Sequence, residues 1–161
     1  MERSQHELKV KNLESGKIEK YELCMEFPFD STRKRMTLIV RYNGVYILMC
    51  KGADSIILPR ISISGGDVSW QKRQFEVQKS LLNFAKEGLR TLVVGSRILD
   101  YDEFDRLKKD YDKLKLSTAA NKERKLNDLY DRYETNLTYL GSTAIEDKLQ
   151  YGVPESIDML I

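Results

Sequence analysis

Met36 to Tyr42 and Val45 to Cys50 are two β-rich segments separated only by Asn43-Gly44. Asn and Gly both tolerate the positive φ angles of a two-residue hairpin turn, so the two segments are expected to pair antiparallel. That pairing favours an antiparallel or mixed sheet, because parallel strands need a crossover of about a dozen residues or more. The β reading extends upstream. Leu8 and Val10 alternate with lysines, Leu13 to Lys17 offers a turn, and Ile18 to Phe27 carries apolar residues mostly at period two. Pro28 lacks an amide donor and is expected to end that strand.

Helical periodicity appears after Gly52. A short helix is expected from Ala53 to about Leu58, then a surface loop over Ile63 to Ser69 around Gly65-Gly66. Trp70 to Glu87 reads as a helix with Trp70, Val77, Leu81 and Phe84 on one stripe and Gly88 as its C-terminal cap. Thr91 to Leu99 reads as a strand. Asp102 to Asn136 reads as two helices interrupted near Ser117-Thr118. Their stripes are Phe104, Leu107, Tyr111, Leu114 and Leu126, Leu129, Tyr130, Tyr133. Leu137 to Ile145 is a late strand, and Pro154 suits the first turn of a helix whose apolar face holds Val153, Ile157 and Leu160. The chain stops inside that pattern, which suggests a piece of a longer polypeptide.

The charge balance narrows function. Among 161 residues, 27 are basic and 25 acidic, a net charge of +2. A nucleic-acid partner is not expected, since such binders usually show a clear basic excess. Residues 102–136 hold nine cations and nine anions, and read as a solvated helical face over a sheet. The longest apolar run, Val45 to Cys50, is far short of the ~18 residues of a membrane span, and no secretory signal is expected. Cys24 and Cys50 are too few for a disulfide scaffold and read as small buried hydrophobes in a cytosolic setting. The single histidine, His6, makes a His-based metal cluster or catalytic base improbable.

Three segments could carry chemistry. Phe29-Asp30-Ser31-Thr32-Arg33-Lys34-Arg35-Met36 packs an aromatic, two hydroxyls and three cations between strands. That composition suits an anionic planar ligand, with a ring to stack on and cations for phosphate; a solvated basic turn beside a core phenylalanine is the alternative. Lys51-Gly52-Ala53-Asp54 follows a strand directly; its glycine lets backbone bend and a ligand approach, or simply makes a surface turn. Glu87-Gly88-Leu89-Arg90-Thr91-Leu92 runs from a helix stop into a strand. Arg90 there could fork onto a phosphate or pair with a carboxylate. No Walker-type phosphate loop is present.

Taken in order, Phe-x-Ser-x-x-Lys-Arg-Met, Lys-Gly-Ala-Asp and Glu-Gly-Leu-Arg-Thr-Leu resemble the nucleotide-binding domain of P-type ATPases. The stretch Leu140-Gly141-Ser142-Thr143-Ala144-Ile145-Glu146-Asp147-Lys148-Leu149-Gln150, followed by Gly152-Val153-Pro154-Glu155, resembles the phospholipid-transporting flippases. The resemblance covers about Tyr21 to Ile161. It implies an α/β (α+β) fold, a twisted, mostly antiparallel sheet flanked by helices. It implies that Phe29 stacks the adenine of ATP, that Ser31 and Lys34 make polar contacts around the nucleotide, that Lys51 lies deep in the pocket, and that Arg90 with Thr91 reaches the phosphates. It divides the chain into a nucleotide-binding domain over 1–144, lacking its N-terminal part, and a hinge strand with the first helix of a phosphorylation domain over 145–161. Glu146 and Asp147 then read as hinge-side carboxylates.

The same resemblance places the parent protein in a membrane with this domain on the cytosolic face, beside phosphorylation and actuator domains. Phospholipid would be moved by membrane segments, with an accessory subunit as a possible partner. ATP is the implied substrate, with Mg2+ bound mainly by the phosphorylation domain. The family's phosphorylated Asp-Lys-Thr-Gly, its Thr-Gly-Asp and Gly-Asp-Gly segments and its actuator Asp-Gly-Glu-Thr loop do not occur here. The acidic partner of the adenine amino group is missing too. No catalytic or metal residue is therefore assigned, and the isolated stretch is expected to bind ATP weakly and not hydrolyse it. A reading from another class is a non-enzymatic interaction module that docks through the helical face of 102–136.

Overall fold

The computed structural model describes residues 7–62, 68–148 and 151–160. Six strands, β1 (Glu7–Lys11), β2 (Ile18–Asp30), β3 (Arg35–Tyr42), β4 (Val45–Gly52), β5 (Arg90–Leu99) and β6 (Thr138–Ile145), form one sheet in sequential order. All five pairings are antiparallel. Helices α1 (Asp54–Ile57) and α2 (Val68–Lys86) lie between β4 and β5; α3 (Tyr101–Leu116) and α4 (Lys122–Tyr133) lie between β5 and β6; α5 (Val153–Asp158) follows. Among the described residues no helix is long and apolar enough to cross a membrane.

The turn chemistry behaves as the residues dictate. Asn43 and Gly44 have φ of 49° and 82°, the two positive angles that a tight hairpin of matching twist requires. Gly88, at φ 74°, closes α2, and the Leu89 amide donates back to the Phe84 carbonyl at 3.0 Å. Asp100 caps α3 by accepting from the Glu103 amide at 2.7 Å.

One sheet face packs on the helices. Phe27 stacks on Tyr130 of α4 at 4.1 Å and Tyr46 on Phe104 of α3 at 4.0 Å, while Trp70 of α2 meets Tyr139 at 5.0 Å. The predicted stripes of α3 and α4 point into this single core, as do Trp70, Val77 and Leu81 of α2 but not Phe84, and Cys50 is buried in it. Cys24 is only partly buried. Burial pushes the Cys50 thiol up to about 11, so it stays neutral and unreactive near neutral pH.

The elements differ from the sequence reading at several places. β2 does not stop at Pro28 but runs on to Asp30, through a register irregularity between Phe27 and Asp30 that absorbs the missing donor. α2 starts at Val68, inside the expected loop, whose residues 63–67 lie outside those described, as does His6. α5 ends at Asp158, and Leu160 stands exposed beyond it rather than on its apolar face. The 102–136 face is not wholly solvated, because Glu134 is completely buried.

Candidate functional site

Register, rather than sequence, assembles the site. Asp30 pairs with Arg35, Arg35 with Gly52, Gly52 with Val93, and Val93 with Ser142, one transverse row over strands β2 to β6. Phe29 adjoins its first member, Lys34 its second and Lys51 its third, and Arg90 lies three residues before its fourth. The three sequence segments therefore meet at one end of the sheet.

Phe29 is 65% exposed, in contrast to Phe27, which is fully buried. Ser31 is exposed in the turn, and Lys34 is held at φ 52°. Lys51 sits directly between Met36 and Val94 in register. Opposed residues share a sheet face, so this row belongs to the side away from Phe27 and Cys50. Arg90 and Val94 are four residues apart on one strand, hence on one face at ~13 Å. Arg90 is exposed and pairs with Asp147 at 2.7 Å. Thr91 alternates to the other face, with the buried Val93, so it does not share the side on which Arg90 and Lys51 stand. Beside Lys51, a shallow cavity of about 170 Å³ is lined by Met36, Leu38, Met49, Cys50, Lys51 and Val94. Its walls are apolar with one cation at the rim, which suits a flat ring carrying an anionic tail. A larger groove of about 360 Å³ runs between α3 and α4. Asp110, Lys113, Lys125, Asp128 and Arg132 ring it with charges of both signs around Leu114 and Leu129.

The turn itself has a different chemistry from the one its composition suggests. Of the three cations, only Lys34 is exposed. Arg33 and Arg35 are 6% and 3% exposed and point inward to Glu134. Asp30 folds the turn by accepting from the Thr32 and Arg33 amides at 2.8 and 2.9 Å, while its carbonyl accepts from the Lys34 amide at 2.7 Å. The Arg33 and Thr32 amides hold the Asp30 carboxyl below its ordinary value. The resulting support for the turn is present above about pH 4 and disappears as pH falls through the lower folded value. Denaturation profiles between about pH 6 and pH 2 should show a shallower acid loss for Asp30→Ala than for the wild type.

Gly52 is also explained by the turn rather than by a ligand. A Cβ there would lie 2.5 Å from the Lys34 carbonyl oxygen and 2.6 Å from the Arg35 Cβ, while the Ala53 amide donates to that same carbonyl at 3.1 Å. What approaches Gly52 closely is the backbone that carries Lys34.

A family model described as P-type ATPase, cytoplasmic domain N, matches residues 3–152. The chain belongs to that family. This N domain is similar to phospholipid-transporting ATPase 10 of Arabidopsis thaliana, 41% identical over 154 residues, 92% of the chain and 12% of that protein. It is similar to phospholipid-transporting ATPase dnf2 of Schizosaccharomyces pombe, 41% identical over 150 residues, 90% of the chain and 10% of that protein. It is 43% identical over 143 residues to phospholipid-transporting ATPase DNF1 of Chaetomium thermophilum, 84% of the chain and 9% of that protein. The N domain thus spans about a tenth of the length of these curated relatives. Sequence reasoning missed Glu134 as a member of the site's support. One signal was available: Glu134 follows Tyr130 by four residues, so it continues the buried stripe of α4.

Proposed function

We propose that this N domain binds ATP at the β2–β5 end of its sheet, as part of a phospholipid-transporting P-type ATPase. It would hold the γ-phosphate toward an aspartate of a phosphorylation domain outside this sequence. The observation that carries the reading is the register row Asp30–Arg35–Gly52, whose chain neighbours are Phe29, Lys34 and Lys51, with Lys51 lining an apolar cavity and Arg90 on the same face as Lys51. The exposed Phe29 ring stacks the purine, worth roughly 1–3 kcal/mol. Lys51 donates from the cavity rim as a point charge, and Arg90 forks onto phosphate oxygens. Ser31 and Lys34 add polar contacts from the turn, and Thr91 acts through the strand that positions Arg90.

Mg2+ is assigned to the phosphorylation domain. Ser31, Lys34 and Lys51 are exposed at this end, side chains that suit phosphate better than a hard divalent cation. The chain positions substrate and performs no bond chemistry alone. Residues 1–144 form the nucleotide-binding unit and 145–161 the hinge and the start of the next domain. The parent enzyme would place this domain on the cytosolic side of its membrane, with actuator, phosphorylation and accessory partners around it.

Titrating ATP into isotope-labelled protein should shift the amides near Phe29, Lys51 and Arg90, and Phe29→Ala should weaken binding about tenfold or more. Unmoved amides at those positions, or an unchanged affinity in Phe29→Ala, would refute the site.

A further inference from the structure

The turn bearing Ser31 and Lys34 contains no apolar side chain that could anchor it. Its anchor is Glu134, 0% exposed and about a hundred residues further along the chain. Oε1 of Glu134 accepts from Arg33 and from the Thr37 hydroxyl at 2.7 Å, and Oε2 accepts from Nε of Arg35 at 2.6 Å. The two guanidiniums pass that fixity to the backbone. Arg35 donates to the Arg33 carbonyl at 3.1 Å, next to Lys34, and Arg33 donates to the Pro28 carbonyl at 3.2 Å, next to Phe29. Arg33 lies over the Tyr130 ring at 4.6 Å, and Arg35 also pairs with Asp131, which Arg60 holds at 3.1 Å.

We infer that Glu134 is a positioning residue for the nucleotide, which sets Lys34 and the Phe29 backbone through Arg33 and Arg35 while touching no ligand itself. The inference rests on the ATP-binding reading of the site. Two physical arguments favour positioning over bulk stability. A buried ion pair is commonly no more stable than apolar residues of the same volume, but planar guanidinium forks fix distance and direction as apolar contacts do not. Glu134 also caps the C-terminal end of α4, where the helix dipole opposes a carboxylate, so the helix itself gains nothing from its charge. Lys34 stands between the two buried arginines in sequence and is itself exposed, at a φ of 52°.

The test is ATP affinity of the folded protein, with the melting temperature followed in parallel. Glu134→Gln keeps the shape and removes the charge. Its ATP affinity should fall about tenfold below the melting transition. The loss should be smaller in the Lys34→Ala background, because part of it acts through Lys34 and only the part through the Phe29 backbone remains. Should Glu134→Gln fail to fold, Thr37→Val removes one bond to Oε1 and leaves the charges paired. It should lose about threefold in affinity, again not additive with Lys34→Ala. A lowered melting temperature with unchanged affinity, or losses that add in full with Lys34→Ala, overturns the inference. Wild-type protein that shows no ATP shifts overturns the nucleotide reading, and this inference falls with it.

Discussion

Gly52→Ala should lower stability by about 3 kcal/mol, the upper range for overpacking, because backbone and not a flexible tip stands in the way. The added methyl would lie within 3 Å of three atoms, the Lys34 carbonyl oxygen and the Arg35 Cβ and Cα, and two of those are main chain. Relief requires β3 and β4 to separate at the Arg35–Gly52 pair, which also breaks the bond from the Ala53 amide to the Lys34 carbonyl. For a chain of this size the melting temperature should drop by roughly 6–12 °C, and the turn that presents Lys34 should move with it. Thermal melting followed by circular dichroism checks the first part, and amide shifts of residues 31–35 check the second. A variant that melts within a degree of the wild type would refute this account of Gly52.

Phe27→Ala should be the most damaging single truncation in the sheet, at roughly 3–5 kcal/mol. Its ring is fully buried and stacked on Tyr130, whose own ring underlies Arg33. The cavity left there would adjoin the Arg33–Glu134 pair and so loosen the anchor as well as the core. Phe29→Ala, two residues on, should change stability by no more than about 0.5 kcal/mol, since its ring is largely in solvent. Urea unfolding of the pair separates the two roles of neighbouring phenylalanines. Similar midpoints for both variants would contradict the assignment of one ring to the core and the other to the ligand.

Much of this architecture is legible in the residues, because its signals are local. Asn43-Gly44 needs only its own two φ angles, and the stripe Leu126, Leu129, Tyr130, Tyr133 needs only helical period. The three motif segments were also readable, and register brings them together. What composition could not show is commitment. Arg33 and Arg35 look like ligand cations in a window of eight residues, and only the partner near residue 134 reveals that both are already engaged. A charge sum of zero over 102–136 concealed the two carboxylates, Glu134 and Asp131, that hold these arginines. Pro28 misled for a similar reason, since a missing donor ends a strand only when no irregularity takes up the gap.

The sequential order of the six strands has a kinetic consequence. The hairpins β1–β2, β2–β3 and β3–β4 can zip up as the polypeptide leaves the ribosome, whereas β5 and β6 wait for the helices that precede them. The clasp of Glu134 on Arg33 and Arg35 cannot form until β5 and the three helices α2, α3 and α4 have been synthesised. It therefore closes after β1 to β4 have paired, and should govern how long the finished domain survives between openings more than how quickly those first hairpins form.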